Sequence, residues 1–212
     1  MAETQHHDRQ LEDGIYIGNQ VDKANLGNPL ARALVRGFDR AFLTALATAQ
    51  PRSILEVGCG EGRLAALMAA HHAVDILATD FSRTLIEQAA PRATERLRFE
   101  QASAYDLDPA TQARDVVVCC EVLEHLEDPT AGLARMHALG ARAYVFSVPN
   151  EPIWRVLNLA RGKYWRDGGN TPGHLNHWSR RTFGTLLAAQ GFAVELWLNP
   201  FPWLMVRARR AG

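Results

Sequence analysis

The apolar run Ser53-Ile54-Leu55-Glu56-Val57 enters Gly58-Cys59-Gly60-Glu61-Gly62 with no spacer, and a helical pattern from Arg63 to Ala70 begins at once. A strand that passes through a glycine turn straight into a helix opens a βα unit and commits the chain to a parallel sheet with helices packed on its faces. The alternation then repeats. Val74 to Thr79, Leu97 to Gln101, Asp115 to Cys120 and Ala143 to Val148 read as strands, with helical patterns at Ser82 to Ala90 and Thr130 to Leu139. Asp115 to Cys120 is almost unbroken in apolar character, as expected of a strand covered on both faces.

Upstream, Asn28-Pro29 provides a cap and a first-turn proline, and Leu30, Leu34, Phe38, Phe42 and Leu46 recur at helical spacing, which predicts an amphipathic helix ending at Gln50-Pro51. Downstream, a helix from Ser179 to Gln190 precedes the strands Phe192 to Leu198 and Trp203 to Ala208. Only Asn199-Pro200-Phe201-Pro202 joins those two strands, so they form an antiparallel hairpin. The predicted fold is α/β: a doubly wound, mostly parallel, seven-stranded Rossmann-like sheet with an antiparallel edge hairpin. Residues 1–27 are expected to be a flexible N-terminal segment and residues 28–212 a single domain. That domain includes a cap insertion over residues 149–178, because thirty residues between a strand and the next helix exceed an ordinary connection.

In a doubly wound sheet the ligand lies beyond the carboxyl ends of the strands, where strand order reverses. The turn from Gly58 to Gly62 is placed there. Its sixth position is Arg63 where a dinucleotide fingerprint needs a third glycine, which counts against a nicotinamide oxidoreductase, and no Gly-Lys-Ser/Thr follows to form a nucleotide-triphosphate loop. Two acids frame the turn. Asp80, ending the second strand, suits the two hydroxyls of a ribose, and Glu56 suits backbone groups or a cationic amine.

The stretches LEVGCGEG (55–62), ATDFS (78–82), RDVVVCCEVLEHLEDP (114–129), FSVPN (146–150) and HLNHWSRRTFGTLLAAQGFAV (174–194) occur in order and at the expected spacing. Together they resemble the class I S-adenosylmethionine-dependent methyltransferases, in particular the group of small-molecule methyltransferases that includes quinone-biosynthetic enzymes. The resemblance implies S-adenosyl-L-methionine as cofactor. It places Glu56, Gly58, Cys59 and Gly60 around the methionine moiety, Asp80 on the ribose and Phe81 beside the adenine. Ser103-Ala104 stands where the family often has Asp-Ala, so Ser103 is a departure, and Glu121 and Val122 would line the methyl-transfer pocket.

Methyl transfer from a sulfonium needs a base only when the acceptor must lose a proton. His125, His174 and His177 are the candidates for that role. Glu121 and His125 are four residues apart and would share one side of a helical turn. No metal site is expected, since no Cys or spaced carboxylate joins His174 and His177. The cap carries Trp154, Arg155, Trp165 and Trp178, which with Tyr16 are the expected acceptor-binding residues. Cys59, Cys119 and Cys120 read as buried fillers.

Lys+Arg and Asp+Glu both number 23, so the formal net charge is zero, which excludes a globally basic nucleic-acid binder. The balance is uneven along the chain. Residues 151–212 hold nine Lys/Arg against three acids, a surplus of six that the first 150 residues offset. The expected activity is O- or C-methylation of a small molecule, partly apolar and with an anionic group that would meet the basic cap. A catalytically silent binding subunit and an RNA methyltransferase are the alternatives. No nucleic-acid partner and no integral membrane association are expected, a cytoplasmic setting is expected, and the oligomeric state stays open.

Overall fold

A computed structural model of the protein describes residues 11–12, 15–16, 29–162, 164–171 and 173–212. Leu11–Glu12 (β1) pairs antiparallel with Ile15–Tyr16 (β2). The rest of the expected flexible segment and the Asn28 cap lie outside the described residues.

Helix α1 (Pro29–Ala49) is followed by β3 (Ser53–Val57), α2 (Arg63–His71), β4 (Asp75–Asp80), α3 (Arg83–Ala89) and β5 (Leu97–Gln101). After a short helix, α4 (Pro109–Gln112), come β6 (Val116–Cys120), α5 (Pro129–Ala138) and β7 (Ala143–Pro149). The chain ends with α6 (Ile153–Ala160), α7 (Arg180–Ala189), β8 (Phe192–Leu198) and β9 (Trp203–Arg210). The seven strands run β5-β4-β3-β6-β7-β9-β8, so the order reverses between β3 and β6. From β5 to β7 every pairing is parallel, and β9 inserts antiparallel between β7 and β8. The hairpin is therefore at the edge as expected, with its second strand on the inside. Helix α4 has no counterpart in the sequence reading; four residues give too few apolar positions for a period to register.

Alternation along the strands divides the core cleanly, because successive side chains point to opposite faces. Ile54, Ile76, Val116, Val118, Cys120, Val145 and Met205 meet Phe38, Phe42 and Leu46 of α1 and Met68 of α2. Leu55, Val57, Val117, Cys119, Phe146 and Val206 meet Leu133 and Met136 of α5 and Phe183 and Leu187 of α7. Phe42 and Leu46 are fully buried, each worth roughly 1.5–3 kcal/mol of apolar burial. Leu30 departs from the expected stripe: it is 66% exposed in the first turn, and the buried face starts at Val35. Helix α7 starts with a reciprocal capping box between Ser179 and Thr182.

At the end of the sheet opposite the glycine turn, Asp115 accepts from Arg142 Nε and Nη2 and from Arg52, and the Arg142 hydrogen bonds hold its carboxyl down to about 2. Arg142 also donates to the carbonyls of Ala49 and Gln50, fixing the C-terminus of α1. Among the described residues no helix is long and apolar enough to cross a membrane.

Candidate functional site

The C-terminal ends of β3, β4, β6 and β7 converge where strand order reverses. Gly58 and Cys59 donate their amides to the carbonyl of Thr79, which ties the turn after β3 to the end of β4. Gly58 has φ +76°, and a Cβ built there would overlap the Val122 side chain, so only glycine lets the turn after β3 lie against the turn after β6. Asp80 is 5% exposed; one carboxylate oxygen accepts from Gly60 N at 2.9 Å and the other from Ser82 N at 3.0 Å. A carboxylate oxygen accepts more than one hydrogen bond, so this scaffolding use is compatible with a ribose diol.

Glu56 shares the parity of Ile54 and so points into the α1–α2 face among apolar side chains. It is 2% exposed, and its Oε2 has no hydrogen-bond partner. Burial pushes its carboxyl up to about 8; Arg63 pulls it down and Asp80 pushes it further up. A buried carboxylate oxygen lacking a partner is costly, and a cationic ligand with N–H donors is what would relieve it. The sequence places Arg63 where a dinucleotide fingerprint would have glycine; in the structure it forms an ion pair with Asp39 of α1 at 2.8 Å. The loop, Asp80 and Glu56 together fit the ribose and the charged methionine end of S-adenosylmethionine.

Phe81 is half-buried, and its carbonyl accepts from Gln101. The Ser103 hydroxyl accepts the Tyr105 amide at 3.2 Å, so it caps its own turn, and Ala104 is buried in the core. All three cysteines are free and buried. Cys119 and Cys120 sit on opposite faces of the sheet, and burial raises all three thiols well above the ordinary range, as expected of fillers.

Beyond β6 the expected helical turn is absent. Glu121 takes φ +59°, and residues 123–125 make a single 3-10 turn, so Glu121 and His125 do not share a helix face. The Glu121 carboxylate accepts from Ser147 Oγ at 3.0 Å. His125 Nδ1 lies 2.8 Å from the Gly173 carbonyl, an acceptor, so Nδ1 carries a proton. The amides of Leu175 and Asn176 donate to the Glu124 carbonyl, and Asn176 Nδ2 donates to the Leu126 carbonyl at 2.6 Å. These bonds stitch the cap to the turn after β6.

That stitching brings Glu124, His125 and His174 together, with one ligand atom from each within 4.8 Å of the others. Glu124 is 1% and His174 8% exposed, and the two imidazoles meet edge to face at 5.0 Å. A carboxylate and two imidazoles are a donor set for a divalent transition metal, and the Gly173 carbonyl behind His125 is the kind of partner that orients such a ligand. The expectation of no metal rested on pairing His174 with His177. In the structure His174 meets His125 and Glu124 instead, while His177 belongs to a separate network, with Nε2 at 2.7 Å from Asn170 Oδ1 and 3.1 Å from Arg155 Nη2. Burial, with the Arg155 charge, lowers the His177 pKa. Sequence reasoning missed Glu124 because it could not see a contact spanning the cap, although the Glu-His pair and a downstream His were there to be read.

The cap is closed at its base by the Asn150–Trp178 bridge and the Glu151 N to Trp178 O bond at 2.9 Å. Trp154 stacks on His174 at 6.1 Å, tilts on Trp203 at 5.6 Å and donates Nε1 to Thr171. Trp178, expected at the acceptor, is 8% exposed and packs on Phe183, so it is part of the core. Trp165, expected beside it, is 69% exposed at the surface. Tyr16 pairs with Leu11 in β2, and its side chain lies outside the described residues.

Residues 29–196 match the family described as "Methyltransferase domain". The ubiquinone biosynthesis O-methyltransferase of Coxiella burnetii is 32% identical over 95 residues, 43% of this chain and 40% of that protein. The enzyme of the same description from Alkalilimnicola ehrlichii is 28% identical over 158 residues, 66% of this chain and 63% of its own length. The chain thus aligns with less than two thirds of these relatives. Among solved structures, magnesium protoporphyrin IX methyltransferase from Synechocystis PCC 6803 with bound SAH superposes with a TM-score of 0.63 at 20% identity, covering 87% of this chain and 88% of that one. Strand order, glycine loop, the carboxylate closing β4 and the family match over residues 29–196 agree, and the chain belongs to the methyltransferase-domain family of class I S-adenosylmethionine-dependent methyltransferases.

Proposed function

We propose that the protein transfers the methyl group of S-adenosylmethionine to a hydroxyl oxygen of a small, partly apolar acceptor. The observation that carries this reading is the Glu124, His125 and His174 cluster, two residues beyond the Val122 side chain that abuts the glycine loop. The sulfonium supplies an activated methyl group with a neutral leaving group. The glycine loop and Asp80 hold the nucleoside, and Glu56 faces the charged end. Glu124, His125 and His174 would hold a divalent cation whose charge would lower the pKa of a hydroxyl beside it; the hydroxyl proton then passes to solvent while the oxygen–methyl bond forms and the sulfur–methyl bond breaks, leaving neutral S-adenosylhomocysteine.

The names of the relatives, O-methyltransferases of ubiquinone biosynthesis, favour oxygen over nitrogen or carbon as the methylated atom. Arg155 lies in the cap with its buried Nε lacking a hydrogen-bond partner, which suits an acceptor carrying a carboxylate or phosphate. The test is release of S-adenosylhomocysteine against phenols and enols with and without anionic groups, before and after chelation. Turnover confined to hydroxylated acceptors and abolished by chelation is expected; methylation of amines alone would overturn the reading. Chelator-resistant O-methylation would instead make His125 the base, acting through Nε2.

A further inference from the structure

Two indoles are in contact where the cap leaves the sheet, and their N–H groups fare differently. Trp154 of α6 tilts on Trp203, the first residue of β9, with 5.6 Å between ring centroids. Trp154 Nε1 donates to Thr171 at 2.9 Å. Trp203 Nε1 is buried without a hydrogen-bond partner among the described residues, and the residue is only 6% exposed. Its ring neighbours, Phe38 at 5.2 Å and Trp154, offer no lone pair. A buried indole N–H normally finds an acceptor, and leaving it without one is costly.

Register places Trp203 at the ligand end of the sheet. It pairs with Pro149, the last residue of β7, and β7 runs parallel to the strands that carry the glycine loop and Asp80. A single indole separates Trp203 from the candidate site, because Trp154 also stacks on His174 at 6.1 Å. Two further buried polar atoms of the same corner have no hydrogen-bond partner among the described residues, Oε1 of Glu151 and Nε of Arg155. The Asn150 amide donates to the Pro202 carbonyl at 3.1 Å, which joins the start of the cap to the start of β9. Glu151 is 8% exposed, and its Oε2 already accepts from the Arg155 amide at 3.3 Å. Burial raises the Glu151 carboxyl above its ordinary range and so favours the protonated form, in which Oε1 is a donor.

These three atoms are donors, two N–H and one O–H, and a lone-pair-rich oxygen group such as a carboxylate or a carbonyl satisfies donors where an ammonium does not. We infer that Trp203 determines acceptor specificity: its Nε1 donates to a non-reacting oxygen group of the acceptor, with Arg155 and Glu151 beside the same group. The acceptor then lies along Trp154, its reacting hydroxyl toward His174 and its second oxygen group toward Trp203. Naming the ligand as the acceptor rests on the proposed function; the donor set itself does not.

Calorimetric titration of the S-adenosylhomocysteine-loaded protein with para-hydroxyphenylpropanoate, para-propylphenol and tyramine tests the inference, since the three phenols differ chiefly in the group at the far end. The wild type should bind the propanoate at least about tenfold more tightly than para-propylphenol, with tyramine weakest. Trp203→Phe should lose about tenfold in affinity for the propanoate, with affinities for para-propylphenol and S-adenosylhomocysteine changed by less than about twofold. The retained cofactor affinity also reports that the variant folds. Arg155→Gln, a change outside the core, should lose the same preference. Equal affinity of the wild type for the three phenols, binding of none, or an unchanged preference in Trp203→Phe each overturns the inference. So does an equal loss for the propanoate and para-propylphenol, which is what a packing role alone would give. Binding needs no turnover, so propanoate that binds with this pattern and is never methylated counts against the proposed function alone.

Discussion

The Gly60 amide reaches the Asp80 carboxylate across 20 residues of sequence, whereas His125 finds the Gly173 carbonyl 48 residues away, on the far side of a cap. The cofactor end is made of backbone geometry fixed by two adjacent parallel strands. The proposed acceptor end is made of side chains that meet only once a long loop has folded back. The first kind of site depends on a few glycines and two acids and leaves a compact pattern in the chain. The second can be changed by altering the loop while the sheet stays as it is, which is the arrangement expected where one cofactor serves many acceptors.

Each half can be broken separately, and the largest effect is expected where the two touch. Gly58→Ala puts a Cβ into Val122 at a positive φ, so we predict a loss of about 2–5 kcal/mol in urea unfolding and no measurable cofactor binding by calorimetry. His125→Ala, or removal of divalent cations, should lower turnover by about 10²–10³-fold with S-adenosylhomocysteine affinity changed by less than about twofold, measured on the best hydroxylated acceptor. A matching loss of cofactor affinity would merge the two halves. Asp80→Asn should weaken S-adenosylhomocysteine by about 10- to 100-fold, the range for a hydrogen bond to a charged group, with little change in turnover at saturation.

Glu56 gives a subtler separation. Its carboxyl titrates near 8 in the folded chain against about 4.3 when unfolded, so the folded state keeps a proton that the unfolded state has released. Stability of the free protein should therefore fall as pH rises between those two values, and Glu56→Gln should remove that slope in thermal melts. The same variant should weaken cofactor binding severalfold and abolish its rise with pH toward about 8; a slope surviving in the variant would assign it to another group. The smallest effect is expected for Ser103→Ala, within about twofold in cofactor affinity, because the hydroxyl already caps its own turn.

The same contrast governs what the sequence discloses. β5 and β8 fall at their expected bounds, the glycine turn follows β3 directly and Asp80 closes β4, because local periodicity and adjacent parallel strands determine all of these. The acceptor end was legible only as residue types. His174 was paired with a neighbour in sequence when its neighbours in space are His125 and Trp154, and Trp178 was expected to bind the acceptor when its ring packs in the core. Outside the eight residues of α6 the cap has no regular element to set a register, so which of its aromatics turn inward is decided by tertiary contacts. Leu30 is the helical version of the same limit: spacing gives the face of α1 but not where the sheet beneath it begins.

Titration calorimetry of S-adenosylhomocysteine into the wild-type protein, Asp80→Asn and His125→Ala tests the division most directly. The account predicts clear binding by the wild type, binding at least about tenfold weaker for Asp80→Asn, and wild-type affinity within about twofold for His125→Ala. No binding by the wild type, or equal losses in the two variants, would contradict it.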